Sequence, residues 1–373
     1  MRITFIATSL DPGGAETALV ALALGLTALG AQTSVIALRG SGRLADRLRA
    51  GGTSVAALSA DGAAEALIAL PRVLLELRRF KPDVVQGWMY HGNLVASAVR
   101  PFHRGRLYWG IRQALGAMDR ESPATNHLIR FGARLSNRPH GIIYNSKRAR
   151  RDHEDVGYSA AKGIVVPNGF DTALLSPKAE ARTRLRAQLG HADDTILVGH
   201  LARYHPVKDH ATYLEAAARL PDSHIRFVMA GRGVDATNKE LVGVIERLDL
   251  KSRVNLLGET DDVAAILPGL DVLCVSSRSE AFPNVIGEAM SCGVPCVTSD
   301  VGDAAQIVGD TGHVVPVGDP ARLAEALLAV AQMGAAARVS LGLTARQRII
   351  EHYSLASMVE QYHRIYEGPG HRH

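Results

Sequence analysis

Short apolar runs alternate with helical segments along the whole chain, and this alternation most limits the folds open to it. Helices such as 16–29 and 64–79 are predicted between the runs. The strands predicted in the first half are 2–8, 33–38, 54–58, 83–88, 107–111, 141–145 and 163–166. Those predicted in the second half are 195–201, 225–230, 254–257, 272–276, 295–298 and 313–316. Because parallel strands need long crossover connections, repeated strand–helix units predict parallel sheets covered by helices on both faces.

The alternation is interrupted near the middle of the chain. Gly169 and two prolines punctuate the segment P-N-G-F-D-T-A-L-L-S-P at 167–177, as expected of a linker. A length of 373 residues fits about two domains of roughly 150 residues each. We therefore predict an N-terminal domain over 1–168 and a C-terminal domain over 169–353, each a doubly wound, Rossmann-like α/β domain.

Composition indicates a well-packed globular α/β protein, with 47% hydrophobic but only 5% aromatic residues. The opening residues M-R-I-T-F-I-A-T match a first strand better than a signal peptide. No apolar run approaches the about 20 residues of a membrane span. We therefore expect a cytoplasmic protein.

Neither the cysteines nor the acidic residues indicate a metal site. Cys274, Cys292 and Cys296 cannot all pair, and we expect small buried side chains in a reducing compartment. No D-x-D triplet of the type that holds a metal and a diphosphate occurs in the sequence. We therefore predict no metal and no cofactor.

Positive charge is concentrated in the first half of the chain. Residues 1–168 carry 22 Lys and Arg against 12 Asp and Glu, whereas the remainder carries 20 against 25. A basic domain on an otherwise acidic chain favours a polyanionic partner. Nucleic acid fits poorly, because aromatic residues are few and no nucleic-acid-binding motif is present. Anionic lipid head groups or an acceptor carrying a diphosphate fit better, and a solvated Arg-rich surface is the alternative.

The segment S-E-A-F-P-N-V-I-G-E-A-M-S-C-G-V-P at 279–295 carries the clearest chemical pattern. It follows a predicted buried strand and contains a short predicted helix over 284–291. A helix N-terminus after a strand offers N–H groups and a positive dipole end to a phosphate. Glu280 precedes this helix and Glu288 lies within it, and both carboxylates can accept hydrogen bonds from hydroxyls. The combination indicates a sugar nucleotide, with a purely helix-dipole role for the glutamates as the alternative.

Two cations, Arg203 and Lys208, follow the first predicted strand of the second domain. Doubly wound sheets bind ligands at the carboxyl ends of their strands. An arginine can bind a diphosphate through two N–H groups, and a lysine acts on it as a point charge. This spacing favours a diphosphate site, and a pair of ordinary surface charges is the alternative.

Four motifs together resemble the family 4 retaining glycosyltransferases. They are E-x7-E with A-M-x-x-G-x-P at 280–295, G-G-A-E at 13–16, P-N-G-F-D at 167–171, and L-A-R-Y-H-P-V-K-D at 201–209. The resemblance covers nearly the whole chain and implies the GT-B fold, in which two Rossmann-like domains face a central cleft. It also implies that a final helix, 354–367, packs back on the first domain. The implied activity is metal-independent transfer of a hexose-type sugar from a nucleoside diphosphate sugar to an acceptor hydroxyl, with retention of configuration.

The resemblance implies a role for each donor-side residue. Glu288 binds the ribose hydroxyls, Glu280 binds hydroxyls of the transferred sugar, and Arg203 and Lys208 stabilise the leaving diphosphate. Gly231 lies where the base and ribose are expected. Between the two glutamates the donor meets the segment that contains Phe282, Pro283, Asn284 and Val285, of which the proline has no N–H to offer. Many relatives carry glycine where this chain has Ala281, so the identity of the donor does not carry over.

In the first domain the resemblance implies contacts with both substrates. Gly13 and Gly14 lie beside the donor phosphate or the acceptor, since glycine lets a backbone approach a ligand closely; an ordinary tight turn is the alternative. His91 touches the donor sugar, with a packed or surface histidine as the alternative. Asn93 and Arg112 are weaker, acceptor-side candidates.

The expected acceptor is a saccharide, lipid-linked in surface polysaccharide or glycoconjugate synthesis. A basic first domain fits an enzyme that works peripherally at the inner face of the cytoplasmic membrane, and UDP is preferred to GDP as the nucleotide. The alternatives are a non-catalytic sugar-nucleotide-binding subunit and a sugar-nucleotide epimerase on the same fold. The E-x7-E pattern argues against the epimerase, and the presence of both cations and both glutamates argues against the subunit.

Overall fold

The computed structural model describes residues 1–58, 63–116, 123–221, 224–260 and 262–368. The chain forms two compact units. One comprises Met1–Gly169 and Leu355–His373, and the other comprises Phe170–Ser354. Each unit is built around one parallel sheet.

The first unit contains all seven strands predicted for it. They are β1 (Arg2–Ala7), β2 (Gln32–Ala37), β3 (Ser54–Ala57), β4 (Val84–Trp88), β5 (Arg106–Ile111), β6 (Gly141–Tyr144) and β7 (Gly163–Val165). They form one sheet in the order β3-β2-β1-β4-β5-β6-β7. The helices between them are α1 (Gly14–Ala28), α2 (Ala45–Ala50), α3 (Ala63–Phe80), α4 (Met89–Val99), α5 (Pro123–Leu135) and α6 (Lys147–Asp155).

The second unit contains the other six predicted strands. They are β8 (Ile196–Leu201), β9 (Ile225–Ala230), β10 (Val254–Leu256), β11 (Val272–Val275), β12 (Cys296–Ser299) and β13 (His313–Val315), in the sheet order β10-β9-β8-β11-β12-β13. The larger helices are α7 (Ala179–Leu189), α8 (His210–Arg219), α9 (Lys239–Arg247), α13 (Pro320–Gln332) and α14 (Ala335–His352). The shorter helices are α10 (Val263–Ile266), α11 (Asn284–Ser291) and α12 (Ala304–Val308). The predicted doubly wound architecture is confirmed in both halves.

The last helix, α15 (Leu355–Glu367), packs on the first unit. Tyr362 and Tyr366 on this helix are fully buried in the first unit's core. The Tyr108 hydroxyl donates to the carbonyl of Ile365 at 2.9 Å, and the Tyr366 hydroxyl bonds the side chain of Gln86. The helix is therefore part of the first unit's core.

Both sheets reverse their direction of winding at one place. In the first sheet the reversal lies between β1 and β4, and in the second it lies between β8 and β11. In doubly wound sheets, ligands bind at the carboxyl ends of the two strands that flank such a reversal. The ligand sites of the two units are therefore expected at these positions.

The predicted burial of the three cysteines is confirmed. Cys274, Cys292 and Cys296 are free and buried, and burial raises the pKa of the Cys292 thiol to about 12. They are small apolar members of the second unit's core.

Across the described ranges, no single helix is both long enough and apolar enough to cross a membrane. The pair α13 and α14, bent by 112° at its break, reaches that length and composition only when taken together.

Close packing of α4 on the first sheet depends on glycine. A Cβ built on Gly92 lies 2.1 Å from the carbonyl oxygen of Ile6 in β1. We predict that Gly92→Ala lowers the free energy of unfolding by about 2–3 kcal/mol, because backbone on both sides has to move. Urea denaturation measures the change.

Gly243→Ala is the matched control, since this glycine lies in α9 and a Cβ there meets nothing within 4 Å. It should be neutral or add up to about 1 kcal/mol, because alanine is the better helix former. Equal effects of the two substitutions would contradict the packing account.

Candidate functional site

Two loops of the second unit meet at the carboxyl ends of adjacent strands. We call residues 202–209 the β8 loop and residues 276–283 the β11 loop. The strands β8 and β11 are paired in the sheet, with Val272 opposite Val198 and Leu273 opposite Gly199. The loops are therefore neighbours although about 70 residues separate them along the chain.

An ion pair joins the predicted phosphate-binding lysine to a predicted sugar-binding glutamate. Lys208 Nζ lies 2.5 Å from Glu280 Oε1, and the hydroxyl of Ser277 donates to the same oxygen at 2.8 Å. The side chains of Lys208 and Glu280 are 26% and 15% exposed. Because both are partly accessible, a ligand can reach the ammonium and the carboxylate at this one place.

The start of α11 lies in the same loop as Glu280. Pro283 precedes the helix, and Asn284 and Val285 form the beginning of its first turn. The N–H of Ile286 in this turn donates to the carbonyl of Pro283 at 3.1 Å, and the positive end of the helix dipole lies at the carboxyl ends of the strands. Phe282 is buried and stacks on Phe170 with 6.2 Å between ring centroids, which fixes the loop to the unit's core.

Glu288 lies one turn further along α11 and is half-buried. Among the described residues it makes no ion pair and accepts no hydrogen bond. Burial raises the pKa of its carboxyl group to about 7. A carboxyl group in this state is suited to accept hydrogen bonds from ligand hydroxyls, which replace the solvation it lacks.

Arg203 and Gly231 lie at the ends of β8 and β9. Arg203 is exposed, and no carboxylate within the described part of the chain pairs with it. Gly231 has a φ of 144°, and a Cβ there lies 2.3 Å from the carbonyl oxygen of Ala202. Glycine is therefore required where the loops after β8 and β9 touch, and this contact positions the backbone around Arg203.

Gly13 of the glycine pair in the first unit lies close to the carboxyl group of Glu16. Gly13 is the N-cap of α1, and a Cβ built on it lies 2.5 Å from Oε2 of Glu16. Burial raises the pKa of Glu16, its own backbone N–H lowers it, and the charge of Asp11 raises it again. The donor-phosphate role of Gly13 and Gly14 stays a prediction. An ionised Glu16 carboxylate would repel an anion that binds there.

His91 lies in the first turn of α4, directly after the end of β4. Burial lowers the pKa of its imidazole, and the nearby charge of Arg39 lowers it further. A neutral imidazole is therefore favoured, which can both donate and accept a hydrogen bond. Its contact with the donor sugar stays a prediction.

The other two first-unit candidates are engaged inside the fold. The amide side chain of Asn93 donates to the carbonyl of Gly110 at 3.3 Å and accepts from its N–H at 3.2 Å. Arg112 is buried, lies over the Trp88 ring at 4.4 Å and bonds Asn168 at 2.8 Å and the Tyr362 hydroxyl. These interior partners favour structural roles for both side chains, and their contact with an acceptor stays a prediction.

No cluster of three potential metal ligands occurs among the His, Cys, Asp and Glu residues that the structure describes.

Comparison with known families accounts for most of the chain. Residues 12–174 match Glycosyltransferase Family 4, and residues 194–333 match Glycosyl transferases group 1. The chain belongs to the family 4 glycosyltransferases.

Two curated proteins are similar to this glycosyltransferase in sequence. N-acetyl-alpha-D-glucosaminyl L-malate synthase of Bacillus anthracis is 26% identical over 251 residues, which cover 65% of this chain and 63% of that protein. Phosphatidyl-myo-inositol mannosyltransferase of Mycobacterium leprae is 30% identical over 240 residues, covering 61% and 59%. The chain thus spans less than two thirds of the length of these relatives.

Solved structures match over nearly the whole glycosyltransferase chain. Anabaena Alr3699/HepE in complex with UDP has a TM-score of 0.86 at 24% identity, and the match covers 98% of this chain and 100% of that one. The same Anabaena protein in complex with UDP-glucose gives a TM-score of 0.86 at 23% identity. These similarities confirm the GT-B fold that the sequence motifs predict.

Sequence reasoning missed an ion pair that lies beside the candidate site of this glycosyltransferase. Arg278 Nε donates to Oδ2 of Asp209 at 2.8 Å, which joins the β8 and β11 loops beside Lys208 and Glu280. Arg278 and Asp209 are 69 positions apart, and no local motif marks them as partners. The sequence signals are that Asp209 follows Lys208 at the end of the motif 201–209 and that Arg278 lies two positions before Glu280.

The unpaired carboxyl of Glu288 predicts a pH-dependent stability. With a pKa raised to about 7 by burial, the folded protein binds a proton that an unfolded glutamate has already lost. The favourable effect of that proton is complete below the unfolded pKa and is lost as pH rises through about 7. Glu288→Gln should therefore raise the free energy of unfolding by about 1–2 kcal/mol at pH 8, with little effect at pH 4.5.

Urea denaturation at the two pH values measures this difference. Glu215→Gln is the control, because Glu215 is exposed on α8 and should give no pH-dependent change. A stabilisation by Glu288→Gln that is the same at both pH values would disprove the burial account.

Proposed function

We propose that this protein transfers a hexose-type sugar from a nucleoside diphosphate sugar to an acceptor hydroxyl, with retention of configuration and without a metal. The observation that carries the proposal is the 2.5 Å contact of Lys208 with Glu280 beside the start of α11. It brings a cation, helix amides and a hydroxyl acceptor together at one strand edge. A diphosphate binds to the first two, and a sugar hydroxyl binds to the third.

In the proposed reaction, the bond between the anomeric carbon and the diphosphate oxygen breaks. The acceptor oxygen forms its bond to that carbon on the same face, and the acceptor proton passes to the leaving phosphate. Arg203, Lys208 and the start of α11 stabilise the negative charge that grows on the diphosphate. Losing one such preorganised donor typically costs about 10²–10³ in rate. Isolation of a covalent sugar–enzyme adduct would contradict this course.

UDP is the proposed nucleotide. The Anabaena protein of the same fold is described in complexes with UDP and with UDP-glucose. The sugar is left open within the hexose class, since Ala281 changes the loop beside it.

The proposed acceptor is a lipid-linked saccharide, presented by an anionic membrane surface to which the protein binds peripherally from the cytoplasm. The Mycobacterium leprae relative is named for a phosphatidyl-linked inositol, which supports a lipid acceptor. The excess of basic residues in 1–168 supports an anionic surface. Both statements concern the acceptor and are independent of the donor site.

Helix α5 is the proposed membrane-facing surface. Arg130, Phe131 and Arg134 are exposed on it, and the Phe131 side chain is 51% exposed. An aromatic side chain between two arginines fits the boundary of an anionic bilayer, where the ring enters the head-group layer and the cations meet phosphates.

The donor proposal predicts a selective thermal shift. UDP, GDP, ADP and their sugar conjugates are tested one by one with chelator present, and the uridine compounds should raise the melting temperature most. A ligand at 100 times its dissociation constant adds about 2.7 kcal/mol to the folded state. Glu288→Ala and Arg203→Ala should remove the shift, because the proposed ribose and phosphate contacts are lost.

Arg184→Ala is the matched control, an exposed arginine on α7 for which the shift should persist. A shift by another nucleotide would make that nucleotide the donor in place of UDP, and a shift that needs added Mg²⁺ would overturn the metal-free reaction.

Binding without transfer to any acceptor would favour the binding-subunit alternative, and conversion of one sugar nucleotide into its epimer would favour the epimerase. Absence of any shift would contradict the donor proposal.

The membrane proposal predicts salt-sensitive binding to vesicles. The protein should sediment with vesicles containing about 30% phosphatidylglycerol and be released as salt rises, because screening weakens surface attraction. Replacing both Arg130 and Arg134 with glutamate should abolish the binding.

A control variant with Arg184→Glu and Arg219→Glu makes the same change in total charge on exposed positions of the second unit. It should still bind. Equal binding to neutral and anionic vesicles, or equal loss in both variants, would rule out this surface.

A further inference from the structure

We propose that Asp209 and Arg278 are positioning residues that hold Lys208 in place for the diphosphate. The geometric part of this inference concerns the β8 and β11 loops of the second unit alone. Its consequence for ligand binding rests on the proposed function.

The two loops are joined by backbone and side-chain bonds around one ion pair. The Arg278 N–H donates to the carbonyl of Val207 at 2.8 Å, and its Nε donates to Asp209 Oδ2 at 2.8 Å. The Ser276 hydroxyl lies 2.9 Å from the carbonyl oxygen of Asp209 and 3.2 Å from that of Lys208. Lys208 thus lies between Val207 and Asp209, and both of these residues form hydrogen bonds with the β11 loop.

Asp209 has an unusual backbone that its side chain helps to hold. Its φ of 51° and ψ of 55° are left-handed, a conformation that aspartate and asparagine tolerate better than most residues. The carboxylate caps α8, accepting from the Thr212 hydroxyl at 2.7 Å and from the Thr212 N–H at 3.4 Å. The Asp209 carboxylate therefore holds three features in place: the start of α8, the turn after Lys208, and the side chain of Arg278.

Arg278 also offsets a charge that would oppose the ligand. The Asp209 side chain is 3% exposed, and it lies next in sequence to the cation assigned to the phosphate. A buried carboxylate there, without a cation, repels an incoming diphosphate. The ordering role and the charge-offsetting role make opposite predictions for Asp209→Asn, which removes the charge and keeps the shape.

The ordering role is tested first on the protein without ligand. Lys208 is labelled with trace acetic anhydride, and its rate is compared by peptide mass spectrometry with that of Lys239 in the same sample. In Asp209→Asn and in Arg278→Ala the relative rate of Lys208 should rise about three- to tenfold, the change expected when one partly buried ion pair is lost. Arg278 is 49% exposed, so its variant keeps the core intact even where the aspartate variant does not fold.

Arg322→Ala is the matched control, because Arg322 forms an exposed ion pair with Glu325 at 3.0 Å on α13. The Lys208 rate should not change in that variant. An unchanged rate in both Asp209→Asn and Arg278→Ala would overturn the inference, whether or not the protein binds nucleotides.

The consequence for binding is measured with UDP and uridine by calorimetry and ligand-observed NMR. Both variants should weaken UDP binding about three- to tenfold and leave uridine binding unchanged, because only the diphosphate meets Lys208. A general loss of folding would weaken both ligands alike. Tighter UDP binding in Asp209→Asn would show that charge, and not ordering, is the role of the pair.

The two proposals fail in distinguishable ways. No UDP binding by the unaltered protein contradicts the proposed donor, while the labelling rates still decide whether Lys208 is held by Asp209 and Arg278. Normal UDP binding in both variants, with faster labelling, would remove the link between ordering and the diphosphate and overturn the positioning role.

Discussion

The pairing of β8 with β11 is the constraint on which the candidate donor site depends. These strands are neighbours because the sheet reverses its winding between them, and their loops then leave side by side. The ion pair between Lys208 and Glu280 follows from that adjacency. Gly199 in β8 allows this strand pairing. A Cβ at that position would lie 2.2 Å from the side chain of Leu270, which precedes β11.

Most of the charged side chains at this edge of the second sheet are paired with an opposite charge. Lys208 is balanced by Glu280 and Asp209 by Arg278, which leaves Arg203 as an exposed cation without a carboxylate partner in the described ranges. In the proposed reaction a diphosphate would meet Arg203 directly and would share Lys208 with Glu280. The two ion pairs cancel in charge, so Arg203 leaves this edge with a small positive charge that attracts an anion.

The corresponding edge of the first sheet has another chemistry. Its glycine loop is covered by the partly buried carboxyl of Glu16, and a histidine with a lowered pKa lies at the end of β4. Weakly charged groups of this kind suit hydroxyls better than phosphates. Two sheets of the same winding thus present different surfaces, because the side chains at their strand ends differ.

The strands were predictable from sequence because buried parallel strands read as continuous apolar runs, and β11 (V-L-C-V, all four residues buried) is an example. The glutamates and cations of the donor side were predictable because their motifs are local. The engagement of Asn93 with Gly110 was not, because it depends on how closely α4 packs on the sheet. The same holds for Arg112, whose partners Trp88, Asn168 and Tyr362 come from distant parts of the chain.

The order in which the units can fold follows from α15. Synthesis proceeds from the amino end, so 170–354 is complete before Leu355–Glu367 emerges from the ribosome. Until then the first unit has no Tyr362 or Tyr366 in its core, and the guanidinium of Arg112 has no phenol to bond. The first unit is therefore translated first but completes its folding last. While the second unit folds, the nascent chain exposes the incomplete hydrophobic core of the first unit, which is a risk for aggregation.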